Sequence, residues 1–404
     1  MEGGLRSALL KDGSRLLQEL LDYAATLWDR STQPPPEEKV YHRRERTMET
    51  VLLTRDYFYC AARQEGRAPF DDALGLIDGY SPGLAGLMCR IAAQQSYELG
   101  AADLLAYAGV IVEGRGIQRM ATLMGPQMRA TRAGQPEPVA PKPVSCLYAL
   151  ADGTGVPMLR RALAGKKGRQ PAGSARTREV KLGCVFTQQS TTTDGEPIRE
   201  PDSTTYLGTL ENAAEFGRQL RQEAIRRGMA TAGRMVFLGD GAAWVWEQAR
   251  LNFPAAICIL DFYHAAEHLG QLCAALEGPR PAAHRRTARW AKAMKRGGIA
   301  RIILQAEKLR ARGQAAEAEQ VGKELEYFRK NEPRMHYDEY RAQGLFIGSG
   351  GVEAGCRVVI GQRLKKSGMF WSETGAQSVI DLRCALLGGH FDTDWNTLTA
   401  NRAA

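Results

Sequence analysis

Short apolar runs that end on an aspartate recur in the middle of the chain. The stretch 236–269 reads VFLGDGAAWVWEQARLNFPAAICILDFYHAAEHL, and two of its apolar runs stop at Asp240 and Asp261. Such runs, rich in Val, Ile and Phe, are typical of buried strands in a mostly parallel sheet. The residues between them have helical spacing and end at Pro254. The pattern predicts a strand–helix–strand unit with a carboxylate at the end of each strand, where α/β proteins often place their chemistry.

Three further strands are predicted upstream of this unit. VSCLYALADGTGVPML carries Asp152 and leads into a glycine turn, and the apolar runs REVKLGCVFTQQS and STTYLGTL follow it. A helix over 211–228 then precedes the first run of the unit above. Three hairpin-connected strands followed by two strands after crossover helices predict an α/β fold with a mixed sheet.

Helical patterns dominate both ends of the chain. Residues 74–130 predict short helices, and a pair near 95–130, broken at Gly109, has the length and turn typical of a helix-turn-helix. Any small helical bundle would have the same spacing, but three arginines on the last of these helices favour DNA binding: Arg115, Arg119 and Arg129. Residues 276–345 have the spacing of apolar and charged residues that is typical of helices throughout. After them another helix is predicted, with Glu353 in its first turn.

Composition shifts divide the chain into segments. The stretch AGQPEPVAPKPV, residues 133–144, holds four prolines and is typical of a linker. We expect a helical DNA-binding region at 1–135, a linker at 136–145 and the first part of an α/β core at 146–275. A helical insertion at 276–345, the closing helices of the core at 346–390 and a frayed tail at 391–404 should follow.

Charge and cysteine content narrow the class of protein. The 404 residues carry a formal net charge of +9, which is compatible with a polyanionic partner. The eight cysteines are scattered singly and form no CxxC pair, as in reduced proteins of the cytoplasm. The sequence has no apolar run of membrane-spanning length and no signal peptide, so we expect a cytoplasmic protein without a membrane partner.

Four sequence words, in order, carry a resemblance to a known family. They are DGTGVPM at 152–158, GDGAAWVW at 239–246, LDFYHAAEHL at 260–269 and VEAGCRVVIGQRLKKSGMFW at 352–371. With these words the chain resembles DDE transposases of bacterial insertion sequences, most closely the Kra-type group related to Mutator-like transposases. The resemblance implies a ribonuclease H-like fold, a nucleoid-associated location and a catalytic triad of carboxylates.

The triad transfers residue by residue. The resemblance implies Asp152 as the first metal ligand, Asp240 as the second and Glu353 as the third. Asp261 follows Asp240 by 261 − 240 = 21 residues and, with His264, matches the family's supporting signature of an acidic residue, two spacers and a histidine. The reverse assignment, with Asp261 as the ligand, stays open because both aspartates follow buried strands. Read singly, an aspartate before glycine is common in turns, and a glutamate in a first helical turn is favourable without any metal.

The expected cofactor is a pair of Mg²⁺ ions, for which Mn²⁺ can substitute. Two such ions stabilise the attacking and leaving oxygens of a phosphodiester, and carboxylate oxygens are the ligands that magnesium prefers. Zinc is not expected. His264 and His268 are spaced as in a zinc-binding helix, but HAAEH places its glutamate beside the wrong histidine for HExxH, which leaves both histidines as supporting residues. Near Cys60 the family commonly has a second cysteine, where this chain has Arg63.

The resemblance also implies the partners. The glutamate helix continues with cations that would bring DNA phosphates to the metals: Arg357, Arg363, Lys365 and Lys366. We expect a transposase that binds terminal inverted repeats, cleaves DNA ends and joins 3′-hydroxyls to target DNA, as at least a dimer. The alternatives are a structure-specific nuclease of the same fold and a catalytically silent, domesticated DNA-binding regulator.

Overall fold

A computed structural model describes most of the chain. The residues described are 2–48, 51–135, 144–165, 176–278, 281–313, 316–348, 350 and 355–403. Among them, no helix combines the length and the apolar character that crossing a membrane requires. Contacts divide the chain into two compact units. The first comprises Met1–Gly134, Thr374–Leu386 and His390–Ala404, and the second Gln135–Glu373 and Leu387–Gly389.

The N-terminal part of the first unit combines helices with a small antiparallel sheet. Its strands lie in the order β1-β2-β3, and β1 and β2 pair antiparallel. The strands are β1 (Glu38–Met48), β2 (Val51–Cys60) and β3 (Glu65–Arg67). The helices are α1 (Glu2–Ser31), α2 (Pro69–Ala73), α3 (Pro82–Gln94), α4 (Tyr97–Asp103) and α5 (Gly114–Gly134).

Local sequence explains where these helices begin and end. Ser81 caps α3 by accepting a hydrogen bond from the backbone N–H of Leu84 at 3.2 Å, and a proline occupies the first helical position. After α4 a π-helical turn, Leu104–Ala108, ends at Gly109, whose φ of 72° is accessible to glycine at little cost. The break near Gly109 is confirmed, and the helix-turn-helix assignment of α4 and α5 remains a prediction.

A six-stranded mixed sheet forms the centre of the second unit. Its order is β6-β5-β4-β8-β9, and β7 pairs with β5. Strand β4 is antiparallel to β5 but parallel to β8, which is parallel to β9. The α/β class and the mixed sheet predicted from the sequence are therefore confirmed. The strands are β4 (Cys146–Pro157), β5 (Thr177–Thr191), β6 (Pro197–Arg199), β7 (Thr205–Thr209), β8 (Met235–Gly239) and β9 (Ile257–Leu260).

Helices connect the parallel strands and then form a helical segment. Helix α6 begins at Asn212, whose side chain accepts from the N–H of Glu215 at 2.9 Å. The indole N–H of Trp246 donates to Asn331 at 3.1 Å, which joins α7 to α11. The helices are α6 (Ala213–Arg226), α7 (Ala243–Asn252), α8 (Phe262–Glu277), α9 (Pro281–Met294), α10 (Ile299–Ala311), α11 (Ala318–Asn331), α12 (Tyr337–Ala342) and, after a π-helical turn at Cys356–Gly361, α13 (Gln362–Leu364).

The C-terminal segment differs from the division expected from the sequence. Helices α14 (Glu373–Leu387) and α15 (Phe391–Ala403) belong almost entirely to the first unit. Their apolar side chains join the buried cluster that α3 and α5 form, and these side chains are Leu382, Ala385, Phe391, Trp395 and Leu398. The expectation of core helices up to 390 and a frayed tail after it was wrong, because apolar residues at 391, 395 and 398 give α15 a face to bury.

Candidate active site at the ends of three parallel strands

Strand register brings three aspartates to one edge of the central sheet. Ala151 on β4 lies opposite Gly239 on β8, and Gly239 lies opposite Leu260 on β9. The next residue along each of these parallel strands is an aspartate: Asp152, Asp240 and Asp261. The backbone N–H of Asp261 also donates to the carbonyl of Gly239 at 2.9 Å. The carboxylates therefore occupy equivalent positions of three neighbouring strands, although β4 continues beyond Asp152 to Pro157, where we expected a glycine turn.

Asp152 and Asp240 interact electrostatically. Partial burial raises the pKa of Asp152 above its usual value, and the negative charge of Asp240 raises it further. A hydrogen bond from the Cys356 thiol, another from the N–H of Gly153 at 2.6 Å, and the nearby His264 partly offset this rise. Within the described parts of the chain neither carboxylate forms an ion pair. The edge thus has a negative potential that no described lysine or arginine neutralises directly.

The turn after β8 fixes the backbone of Asp240. The Asp240 side chain accepts from the N–H of Ala242 at 3.0 Å, and its own carbonyl accepts from the Tyr327 hydroxyl at 3.2 Å. Gly241 has a φ of 99°, and a Cβ there would lie 2.8 Å from the Tyr327 ring. Glycine is required at 241 for both the backbone conformation and the close approach of Tyr327.

Asp261 has a different environment. Its side chain is buried, with 1 % of the residue exposed, and it accepts from the N–H of His264 at 2.8 Å as the N-cap of α8. A capping aspartate satisfies a helix N–H that would otherwise lack a partner. Strand β8, rather than β9, is the neighbour of β4, so Asp240 follows the strand next to that of Asp152. This arrangement favours Asp240 over Asp261 as the partner of Asp152.

The two histidines of α8 have separate partners. His264 is half-buried, and its Nδ1 lies 3.7 Å from a carboxylate oxygen of Glu267. The Nδ1 of His268 lies 2.7 Å from a carboxylate oxygen of the buried Glu324. The His268 ring also stacks on Tyr327, with ring centres 3.6 Å apart. His264 is therefore the histidine next to the aspartates, whereas His268 packs against the Tyr327 ring.

Tyr327 and Cys356 belong to the site although neither was among the residues predicted from the sequence. Burial raises the pKa of Tyr327, and Asp240 and Asp261 raise it further. Burial also raises the pKa of the Cys356 thiol, and its hydrogen-bond partner Asp152 adds to the effect. Both residues therefore remain protonated donors next to the carboxylates. No local pattern marks them, because each reaches the strand ends from a distant part of the chain.

Glu353 lies outside the described residues, and the described residues that follow it contact the site. Besides the contact of Cys356 with Asp152, a Cβ on Gly355 would lie 2.9 Å from the Tyr206 ring and 3.1 Å from Leu182. Among the residues that the structure describes, no three His, Cys, Asp or Glu side chains are grouped closely enough to hold a metal ion. The described part of the site is therefore a pair of aspartates with supporting donors.

This pair fits a divalent cation of the magnesium type. Carboxylate oxygens are the donors that Mg²⁺ prefers, and magnesium keeps several waters, so two or three carboxylates suffice. The raised pKa of Asp152 reflects burial and the neighbouring negative charge of Asp240. A bound cation would favour the ionised form of both groups. Asp152 and Asp240 are the described residues that could hold it.

Cations of the α13 region differ in their exposure. Lys365 is exposed, and its ammonium group donates to the hydroxyl of Thr154 at 2.5 Å, two residues beyond Asp152. Arg357 and Lys366 are also exposed. Arg363, which we expected to contact DNA, is fully buried, and its guanidinium lies 5.0 Å from the centre of the Trp371 ring. That expectation was wrong for this conformation, because Arg363 packs in the core.

The arginines of α5 also have individual environments. Arg119 forms an ion pair with Asp78, and Arg129 lies 3.7 Å from the buried Asp381. Arg115 is exposed. An ion pair neutralises much of an arginine's field, so Arg115 is the cation of this set whose charge is most available for a polyanion.

Comparisons with known proteins do not add a relative. No protein-family model matches the chain, and no functionally characterised protein matches it in a sequence search.

Proposed function

We propose that this chain is a DDE-type transposase that cleaves the ends of an insertion sequence and joins the freed 3′-hydroxyls to target DNA. The strand topology supports the proposal. Three antiparallel strands, β4, β5 and β7, precede two strands, β8 and β9, that run parallel to β4 and follow helices. A ribonuclease H-like catalytic unit has this succession, and the resemblance in four sequence words implies the same fold.

The pair of Asp152 and Asp240 is the observation that carries the proposal. Both follow registered positions on neighbouring parallel strands, and they are close enough for Asp240 to raise the pKa of Asp152. Placing two carboxylates together destabilises both ionised forms unless a cation joins them. An adjacent pair of this kind, without an ion pair in the described chain, is suited to holding a metal.

Glu353 is the third ligand in this proposal. It precedes Cys356 by three residues, so the chain allows their Cα atoms to be at most about 11 Å apart. The Cys356 thiol contacts Asp152 directly. A glutamate in this segment can complete a set of three carboxylates with Asp152 and Asp240. Asp261 then acts as the cap of α8, with His264 next to the carboxylates.

The residues around the pair have separable tasks in the reaction. Bound magnesium ions would stabilise negative charge on the attacking and leaving oxygens of the phosphodiester. Tyr327 fixes the backbone of Asp240, and Cys356 orients the carboxylate of Asp152. Lys365 and Arg357 are exposed cations near the pair and would bind phosphates of the DNA backbone.

The wider reaction requires DNA recognition and self-association. We assign recognition of terminal inverted repeats to the N-terminal helical region, where the exposed Arg115 at the start of α5 is available to phosphates. Because two DNA ends must be processed together, the active form contains at least two chains. Such a protein would act in the bacterial cytoplasm, on the nucleoid.

The proposal is tested with DNA duplexes that carry the inverted repeats flanking the coding region. Full-length protein with Mg²⁺ should cleave these ends and join them to a second duplex, and Asp240→Asn should abolish both steps. Asp194→Asn, an exposed aspartate in the hairpin between β5 and β6, is the matched control and should remain active. Cleavage without joining would indicate a structure-specific nuclease, and binding without either step would indicate a regulator.

A further inference from the structure

Helices α9 and α10 are strongly basic. Between residues 281 and 311 the sole carboxylate is Glu307. The lysines and arginines of the same stretch are Arg285, Arg286, Arg289, Lys292, Lys295, Arg296, Arg301, Lys308 and Arg310. Such an excess of one sign creates a positive potential that attracts polyanions. The catalytic proposal above does not use these residues.

Four of these cations line one concave surface. The groove has a volume of about 850 Å³ and lies at the junction of α9 and α10. No Asp or Glu is among its lining residues. We call it the α9–α10 groove and define it by its cations, Arg289, Lys292, Arg296 and Arg301.

Helical geometry explains why these side chains converge. Arg289, Lys292 and Arg296 are spaced by three and four residues, so they lie along one face of α9 and its C-terminal turn. Gly297, with a φ of 77°, then reverses the chain and brings Arg301 on α10 to the same concavity. From Arg289 to Arg296 the helical rise is about 10 Å. Duplex DNA carries roughly six negative charges over that length.

The charges of the groove are not neutralised within the described parts of the chain. All four cations are exposed, and none forms an ion pair with a described carboxylate. Neighbouring groups are paired instead: Arg286 with Glu277, and Arg329 with Glu307. One carboxylate lies at the rim, since a Cβ on Gly297 would be 2.5 Å from an oxygen of Asp338.

Aromatic placement distinguishes duplex from single-stranded nucleic acid. Proteins that hold single strands commonly offer exposed aromatic rings on which bases stack. The aromatic residue of this groove, Trp290, is buried, with 3 % of its surface exposed. The groove therefore offers cations without a stacking platform, which suits the outer phosphates of a duplex.

The groove also approaches the candidate active site. The ammonium group of Lys295, at the end of α9, lies 5.8 Å from the ring centre of Phe262. Phe262 directly follows Asp261, at the strand ends that carry the aspartates. The residue between the groove cations Lys292 and Arg296 therefore contacts the first turn of α8, which Asp261 caps.

We propose that the α9–α10 groove is a second DNA site, which binds the phosphate backbone of duplex DNA without sequence preference. This inference rests on the proposed function, in that the chain acts on DNA. The site is separate from the N-terminal region assigned to inverted repeats. Its contribution is affinity for DNA outside the repeats, such as target or flanking DNA.

The test compares two double variants of the full chain. Arg289→Gln/Arg296→Gln removes two groove cations, and Arg285→Gln/Lys308→Gln removes two exposed cations of the same helices that do not line the groove. Binding of a fluorescent 30-base-pair duplex without inverted repeats is measured by anisotropy at several salt concentrations. The groove variant should bind at least about tenfold more weakly, with a salt slope reduced by about 1.8 for two lost phosphate contacts. Asp338→Asn should strengthen binding.

Several results would overturn the inference. Equal losses in the two double variants would show only a general charge effect, and an unchanged salt slope would show no phosphate contact. Preferential competition by oligo(dT) would assign the groove to single strands. Cleavage of inverted-repeat ends, measured in parallel, separates this inference from the proposed function. If the groove variant binds random duplex as tightly as wild type while Asp240→Asn abolishes cleavage, the assignment of the groove to DNA binding is wrong and the transposase proposal stands.

Discussion

The thiol of Cys356 lies next to the carboxylate of Asp152, and the interaction between them lowers the pKa of the carboxyl and raises that of the thiol. This contact joins the segment that follows Glu353 to the strand that carries the first expected metal ligand.

Cys356→Ala should weaken catalysis without unfolding the protein. The change removes a donor that orients Asp152 but leaves a small side chain in the partly buried position. We expect cleavage to fall by about tenfold, corresponding to the net loss of roughly one hydrogen bond to a charged group. Cys356→Ser, which retains a donor, should recover much of the rate. The measurement is single-turnover cleavage, and equal rates for the alanine and serine variants would contradict the orienting role.

Tyr327→Phe should affect the Asp240 turn more than overall stability. The hydroxyl donates to the carbonyl of Asp240, and its loss should cost about 0.5–1.5 kcal/mol of unfolding free energy. Tyr340→Phe is the matched control, because its hydroxyl also donates to a backbone carbonyl, that of Cys258. Urea unfolding should give similar losses for both variants. A lowered cleavage rate is expected for Tyr327→Phe alone, and equal rates would refute its role at the site.

Arg363→Ala should destabilise the protein without changing the salt dependence of DNA binding. The side chain is fully buried beside Trp371, so truncation leaves a cavity and should cost about 2–5 kcal/mol. Lys365→Gln should do the reverse, reducing the salt slope by about 1 with little loss of stability, because Lys365 is exposed. Thermal unfolding and anisotropy titrations separate the two effects. A reduced salt slope for Arg363→Ala would restore it as a DNA contact.

Asp381 should make the stability of the first unit depend on pH. Burial raises its pKa to about 7, although Arg129 and Gln377 lower it in part. Because the folded state binds this proton more tightly than the unfolded state, the contribution of Asp381 to stability is greatest below about pH 4. That contribution is lost as the pH rises to about 7. Asp381→Asn should therefore have a flatter stability profile than wild type between pH 4 and 8, measured by urea unfolding. Parallel profiles would contradict the raised pKa.

The C-terminal helices decide whether the first unit folds. Trp395 is buried in the cluster that α3 and α5 form, so Trp395→Ala should cost about 3–5 kcal/mol. A fragment of residues 1–135 lacks α14 and α15 and should therefore expose that cluster and bind a hydrophobic dye. A fragment with native-like cooperative unfolding would show that these helices are dispensable.

Local patterns predicted much of the architecture and part of the site. Apolar runs located β4, β8 and β9, and Asp240 and Asp261 were selected because each directly follows such a run. Asp152 was selected through the family resemblance, and it lies within β4, which continues to Pro157. The same reasoning could not find Tyr327 or Cys356, which contact the aspartates from distant segments. It also assigned Arg363 to the surface, since a helix rich in cations resembles a solvated face. Burial by tertiary packing overrides such local signals.

The sequence also did not predict which helices of the first unit pack against each other. Three apolar residues over α15 are too few to distinguish a packed helix from a frayed end. Their role becomes evident only when Phe391 and Trp395 lie against α3 and α5. Proximity between the two ends of the chain has no local signature, so the expected tail and closing core helices were placed wrongly.

Glu353→Gln is the decisive variant for the proposed triad of carboxylates. The variant keeps the size of the side chain and removes the charge that would help to hold a metal, while Glu339→Gln, in the first turn of α12, is the exposed control. With Mg²⁺ and inverted-repeat duplexes, cleavage and joining should both fall by about a thousandfold or more for Glu353→Gln, with DNA affinity near wild type, because one site catalyses both steps. Cleavage by Glu353→Gln at the rate of Glu339→Gln, at saturating magnesium, would contradict the assignment of this triad.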